Sequence, residues 1–405
     1  MVKYKDNLIS IQLIFVFLIP FTPHLDISNN LQLDDVPVIL FFLLFLVNCF
    51  FKNITRVFVK ELIPLFLFFI YISIQNLVIN NSIIYSENLR YFFYILLLIT
   101  ILNIDDLSFI DNFYKYSLIF ASVFSILFYL LEIDFGVDAY DYWKIGFNEN
   151  KWIFTKGRMN GMQAGGPNAF GAIIACLTIY TVSQFPSPKY NFLVLIGLLG
   201  CFFTYSRASI VILILILLTY LIFKADLIKL GLLFASILIT INFGFIERIT
   251  SEAETQGIED RIQMQQASVT DISSRSLSQN ILGYGHGNFG VVRDQVKSLE
   301  EFSKDLRPTG PHNSFLFVVL DYGFVGLILF LNIFLIPFIK FLSNLKVNMF
   351  RSEYLFLGTF VALSFTGDFI QNHSISVIFF ATLFKTFQDI SNEWEFESFT
   401  CTSNP

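Results

Sequence analysis

The sequence predicts an all-α, polytopic membrane protein of about twelve transmembrane helices with one large loop on its outer face. Three observations predict it. The 405-residue chain is 55% hydrophobic and only 14% charged, where ordinary soluble domains are about a quarter charged, so the surplus apolar surface must face lipid. Apolar runs recur along the whole chain at the length a bilayer demands, about 20 residues for a hydrocarbon core of about 30 Å. Lys and Arg gather in alternate short loops, the bias that orients membrane proteins. The 51 phenylalanines supply lipid-facing bulk and helix packing, with a compositional bias toward Phe, Ile and Asn contributing.

The runs fall at 7–23, 36–52, 61–79, 89–104, 115–133, 167–185, 190–205, 207–224, 227–245, 313–340, 353–369 and 374–390, the fourth and seventh being short. The first follows Lys3 and Lys5 and ends at Pro20 to Pro23 without a small-residue cleavage site, so it reads as a retained helix and not a removed signal peptide. An even count places both termini on one side. With that side cytoplasmic, the inner segments hold thirteen of the 26 basic residues, whereas the short outer loops near 24–35, 80–88 and 370–373 hold none and Arg90 borders one. The chain then divides into helices one to nine over 1–245 (outer loop 134–166 included), a large outer loop over 246–312, and the last three helices with a short cytoplasmic tail over 313–405. In the large loop an amphipathic helix is expected near 258–270, and Gly283-Tyr284-Gly285-His286-Gly287-Asn288-Phe289 makes a tight turn. The loop is marginal in size for a core of its own. Lys144, Lys151, Lys156 and Arg158 sit in an outer loop against the insertion bias, and an anionic ligand on that face is the simplest reason.

A net charge of −6 with no basic tract argues against nucleic acid. The four cysteines are scattered, three of them in apolar runs, with neither metal-ligand spacing nor a disulfide pair. No cofactor is expected.

The residues able to carry chemistry map to the outer side. Arg207 follows Thr204-Tyr205-Ser206 and opens an apolar helix. A cation opposes the helix dipole there, unless a phosphate accepts from both the free N–H groups and the guanidinium; an arginine snorkelling to headgroups is the other reading. Arg158, Gly161, Gly165, Gly166, Pro167 and Asn168 lead into the sixth helix, as a glycine loop letting backbone approach a ligand or as a plain helix start. Gly310-Pro311-His312-Asn313 opens the tenth helix and puts a histidine able to take a proton at the boundary. Asp321 and Gly323 interrupt that helix, marking a functional carboxylate or a break. His312 and Asp321 lie on opposite faces of a straight helix and can pair only if it breaks. Asp368, Gln371, Asn372 and His373 read more readily as a polar hairpin. Arg158, Arg207, Arg275, Arg307 and His312 on one face, without a metal signature, suit a diphosphate-bearing substrate and a metal-free transfer.

These motifs resemble the O-antigen ligase/polymerase family of bacterial envelope enzymes over about residues 155–340. The match rests on Ser206-Arg207 entering an apolar helix, on the Gly283–Gly287 turn, and most on His312-Asn313 followed after nine residues by Gly323-Phe324-Val325-Gly326; the segment from Arg158 to Asn168 is similar to one seen in the polymerases. The resemblance implies a fold of the GT-C glycosyltransferase type and a metal-free enzyme of the inner membrane, facing the periplasm or exterior. Its donor would be a glycan on undecaprenyl diphosphate, beside membrane lipid, with a flippase and a chain-length regulator as partners. It also implies His312 as base and Arg207 as diphosphate clamp, with Arg158, Asn168, Arg275, His286 and Asn313 binding diphosphate or glycan. The Pro167-Asn168 step tilts toward a polymerase, the His-Asn spacing toward a ligase. A lipid-linked oligosaccharide flippase or other transporter is the rival class; transporters place polar groups near the midplane in paired halves, and no repeat is visible here.

Overall fold

The computed structural model describes residues 2–22, 26–28, 31–32, 35–56, 60–80, 86–131, 166–204, 206–242, 252–287, 289, 292 and 310–401. Its helices are α1 Val2–Leu18, α2 Asp35–Phe50, α3 Leu62–Asn80, α4 Ser86–Leu102, α5 Ser108–Leu131, α6 Gly166–Gln184, α7 Phe192–Phe203, α8 Arg207–Lys224, α9 Leu227–Asn242, α10 Glu252–Ser274, α11 Leu277–Leu282, α12 Ser314–Ser343, α13 Leu345–Asn348, α14 Ser352–Ser364 and α15 His373–Cys401. A two-stranded antiparallel hairpin, β1 Asp26–Ser28 and β2 Leu31–Gln32, follows α1.

Within the described residues, each of the twelve apolar runs coincides with a helix. Leu62–Ile79, Arg207–Lys224 and Ser314–Ser343 are long and apolar enough to cross a membrane, and six further described helices are apolar but shorter. The twelfth run is longer than expected, because α15 continues to Cys401. The expected amphipathic helix near 258–270 is α10, longer at both ends.

The middles of α6 and α15 are buried all round, as helices at the centre of a bundle must be. The outer helices instead expose large apolar side chains, among them Phe50 at 82%, Val78 at 69% and Phe223 at 65%. Phenylalanine thus serves both surfaces: Phe360 and Phe379 stack at 3.9 Å inside the bundle, while Phe50 faces outward.

Polar side chains tie the helices together where the apolar effect between lipid-embedded helices is weak. Gln12 of α1 donates to Thr100 of α4, and Asn48 of α2 donates to Gln12. Lys385 of α15 reaches Asp111 of α5 at 2.5 Å, Tyr180 of α6 at 2.6 Å and Glu353 of α14 at 2.7 Å. Gln184 bridges Asp111 to Ser352. One ammonium with two carboxylates therefore joins four helices, and a buried charge persists only when paired and hydrogen-bonded in this way.

Candidate functional site

The helix that organises the candidate site is α12. Gly323 has φ 65 and ψ −173 inside it, so the helix breaks there. The break frees carbonyls that an uninterrupted helix would bind internally, and neighbouring segments take them up. The Tyr284 N–H donates to Leu320 O at 2.8 Å and the Gly285 N–H to Asp321 O at 2.9 Å. From α3, Gln75 donates to Asp321 O at 2.7 Å and also to Leu282 O, and Tyr71 donates to Tyr322 O at 2.7 Å. The glycine turn after α11 lies directly against the break: a Cβ on Gly323 would fall 2.2 Å from Ile281 O, and one on Gly283 would fall 2.3 Å from Asp321 O.

The break also decides the carboxylate's partner. Asp321 is 1% exposed and its Oδ2 sits 3.0 Å from His286 Nδ1, with the Gly287 N–H donating to the same oxygen at 3.3 Å. The helix breaks, as a His312–Asp321 pair would require, yet Asp321 pairs with His286, because the turn occupies the space beside the break.

His312 pairs elsewhere. It adopts a left-handed φ of 52, and its Nδ1 lies 3.4 Å from Asp368 Oδ2 in the segment between α14 and α15. That segment is fastened to the start of α12: Ser314 Oγ donates to Gly367 O at 2.9 Å, and the Ile370 N–H donates to Ser314 Oγ at 3.1 Å. Asn313 caps α12, its side-chain oxygen accepting from the Phe315 and Leu316 N–H groups at 3.0 and 3.1 Å. Burial, reinforced by the charge of Arg261 on α10, pulls the His312 imidazole down to about 4. Burial pushes the Asp368 carboxyl up to about 7, against the opposing effects of the His312 and Asn313 backbone N–H groups and of Arg261, while Asp321 adds to the rise. A neutral imidazole beside a carboxyl, under a nearby guanidinium, can accept a proton from a hydroxyl at neutral pH.

Arg275, expected as an anion ligand, clasps the loop to α12. Its Nε donates to Asn280 Oδ1 at 2.9 Å, its Nη2 donates to Val319 O at 3.3 Å, and its guanidinium lies over the Tyr284 ring. Burial lowers its pKa, with Asp271 opposing.

The helices that carry Arg207 and Asn168 pack against each other at their starts. Arg207 is the first residue of α8, after Ser206 in extended conformation. Asn168 stands in the first turn of α6, three residues before Gly171, where an added Cβ would lie 2.6 Å from Thr204 Oγ1 and 2.7 Å from Ser206 Cβ. The small residue lets the starts of α6 and α8 meet. Arg158 and Arg307, with the basic residues of the 134–166 loop, lie outside the described residues. Among the described residues no group of three or more His, Cys, Asp or Glu is placed to hold a metal ion.

Two residues of the site are given no catalytic role by the sequence. Asp368 reads there as part of a polar hairpin, and only its contact with His312, 56 positions away, distinguishes it. Arg261 lies within an ordinary amphipathic helix, and nothing local marks it.

Residues 192–331 match the family model described as O-antigen ligase. The match supports placing the chain in the O-antigen ligase/polymerase family. It includes Arg207, Arg261, Arg275, His286, His312, Asn313 and the break at Gly323, and leaves out Arg158, Asn168 and Asp368. No curated protein matches the chain.

Proposed function

We propose, with the O-antigen ligase match over residues 192–331 as premise, that the chain is a metal-independent glycosyltransferase. In this reading it polymerises undecaprenyl-diphosphate-linked oligosaccharide repeat units of a surface polysaccharide. It would do so on the outer face of the inner membrane, with twelve transmembrane helices and both termini cytoplasmic. The observation that carries it is the pairing of His312 with Asp368 under the charge of Arg261, at the start of a helix the match covers.

In the transfer, an acceptor sugar hydroxyl forms a bond to the anomeric carbon of the donor glycan. The bond from that carbon to the diphosphate breaks, and its electron pair leaves with undecaprenyl diphosphate. Asp368 holds His312 through Nδ1, and the other ring nitrogen takes the hydroxyl proton. Arg207, with Arg158, stabilises the charge growing on the leaving diphosphate. Asn168, Arg275, His286 and Asn313 stay in the reading as residues around the bound glycan and diphosphate. Arg275 and Asn313 would act there through the backbone they hold.

The description of the matching family favours a second reading, an O-antigen ligase that moves the finished chain to lipid A core. A deletion strain separates the two on a gel of surface glycan. A single repeat unit on the lipid core indicates a lost polymerase, and long chains left on the carrier lipid indicate a lost ligase. Repeat units trapped on the cytoplasmic side would instead make the protein a flippase and sink both.

A further inference from the structure

We propose that the cavity between the inner ends of α8 and α9 binds the phosphate head group of an anionic phospholipid. The cavity is about 630 Å³, and Tyr220, Lys224, Asp226, Ile228, Lys229 and Phe350 line it. It forms because α8 ends at Lys224 in a left-handed cap at Ala225 (φ 52), which turns the chain straight into α9.

Its charges do not cancel. Lys229 is fully buried and satisfied, 3.0 Å from Asp226 Oδ2 and 3.2 Å from Pro186 O. Asp226 thus answers Lys229, and the wall keeps one positive charge at Lys224. The Lys224 ammonium lies 5.1 Å from the Phe350 ring centre and makes no ion pair among the described residues. Tyr220 is only 6% exposed, and its hydroxyl makes no hydrogen bond among the described residues. One phosphate would accept from both groups.

The surroundings select a lipid over a soluble phosphate. Ile222, Phe223, Leu227 and Ile228 stand 59%, 65%, 76% and 64% exposed beside the cavity, where acyl chains would run along them. Basic pockets between transmembrane helices on the cytoplasmic side hold anionic head groups in this way, and the distribution of Lys and Arg assigns this end to that side. The site is remote from His312 and stands apart from the transferase reading.

Native mass spectrometry of the full-length protein in detergent tests it, with phosphatidylglycerol and phosphatidylcholine added in equal amounts. One phosphatidylglycerol should be retained in preference. Lys224→Gln, a change at an exposed side chain, should lower that retention about fivefold, the worth of one basic residue near a membrane surface. Tyr220→Phe should lower it less, and Lys346→Gln, exposed at the same end, should leave it unchanged. Equal retention of the two lipids, unchanged retention in Lys224→Gln, or an equal loss in Lys346→Gln would overturn the proposal. So would displacement of phosphatidylglycerol by glycerol 3-phosphate, which would make the site one for soluble phosphates.

Discussion

Replacing Gly323 with alanine separates a broken helix from a straight one, because the two predict opposite signs. In a regular helix interior, Gly→Ala stabilises by about 1 kcal/mol. Here the backbone sits at φ 65 and ψ −173, a region essentially reserved for glycine, where another residue costs about 1–3 kcal/mol. The new Cβ would also lie 2.2 Å from Ile281 O and 2.6 Å from Gly283 N, so the turn has to retreat. Retreat breaks the hydrogen bonds from Tyr284 to Leu320 O and from Gly285 to Asp321 O, each worth about 0.5–1.5 kcal/mol. The sum is a loss of about 2–6 kcal/mol, against a gain for a straight helix. Thermal unfolding in detergent reads the sign directly, and surface glycan in the complemented deletion strain reads whether His286 and Asp321 remain in place. An alanine variant that melts above the wild type would refute the break and the docking of the turn on it.

Other perturbations test other parts of the account. Lys385→Met leaves Asp111 buried without its cation and Glu353 with only Arg351, 3.9 Å away, and should destabilise by about 3–5 kcal/mol, part of which Asp111→Asn in the same chain should restore, as chemical or thermal melts would show. Asp368 is pushed up to about 7 by burial, so its charged form, which best orients the imidazole, appears only as pH rises through about 7. Transferase activity should therefore climb across that range, and Asp368→Asn should lower and flatten the climb. Stability runs the other way. Between the ordinary carboxylate range and about 7 the folded chain holds a proton the unfolded chain has lost, so stability falls as pH rises, and the Asn variant should lack that fall. Gly171→Leu should drive the starts of α6 and α8 apart and reduce activity more than expression, measured by glycan yield per inserted protein.

The helices were legible because lipid imposes one rule on every segment: an apolar run of bilayer length becomes a helix, since its backbone has no other partner. The same rule hid the ends, for α15 runs on into the polar stretch that holds Glu393, Glu395 and Glu397, where no lipid constrains it. The break at Asp321 and Gly323 was legible because a carboxylate and a glycine interrupt an apolar run. Its partner was not, since His286 reaches Asp321 only when the turn folds back by 35 positions. The same distance effect hid Asp368 and Arg261, whose roles depend on packing between segments far apart in the chain. Arg275 shows the converse: an arginine in a polar loop reads as a free cation, yet a carbonyl exposed by the break and the Asn280 side chain take up its guanidinium.

The most direct test of the central claim is the surface glycan made by His312→Ala in cells lacking the native gene product, at verified membrane insertion. With His312 as the proton acceptor of the transfer, long glycan should be lost while the lipid-linked donor accumulates at the outer face. His312→Ala cells that assemble full-length glycan at wild-type level would contradict it.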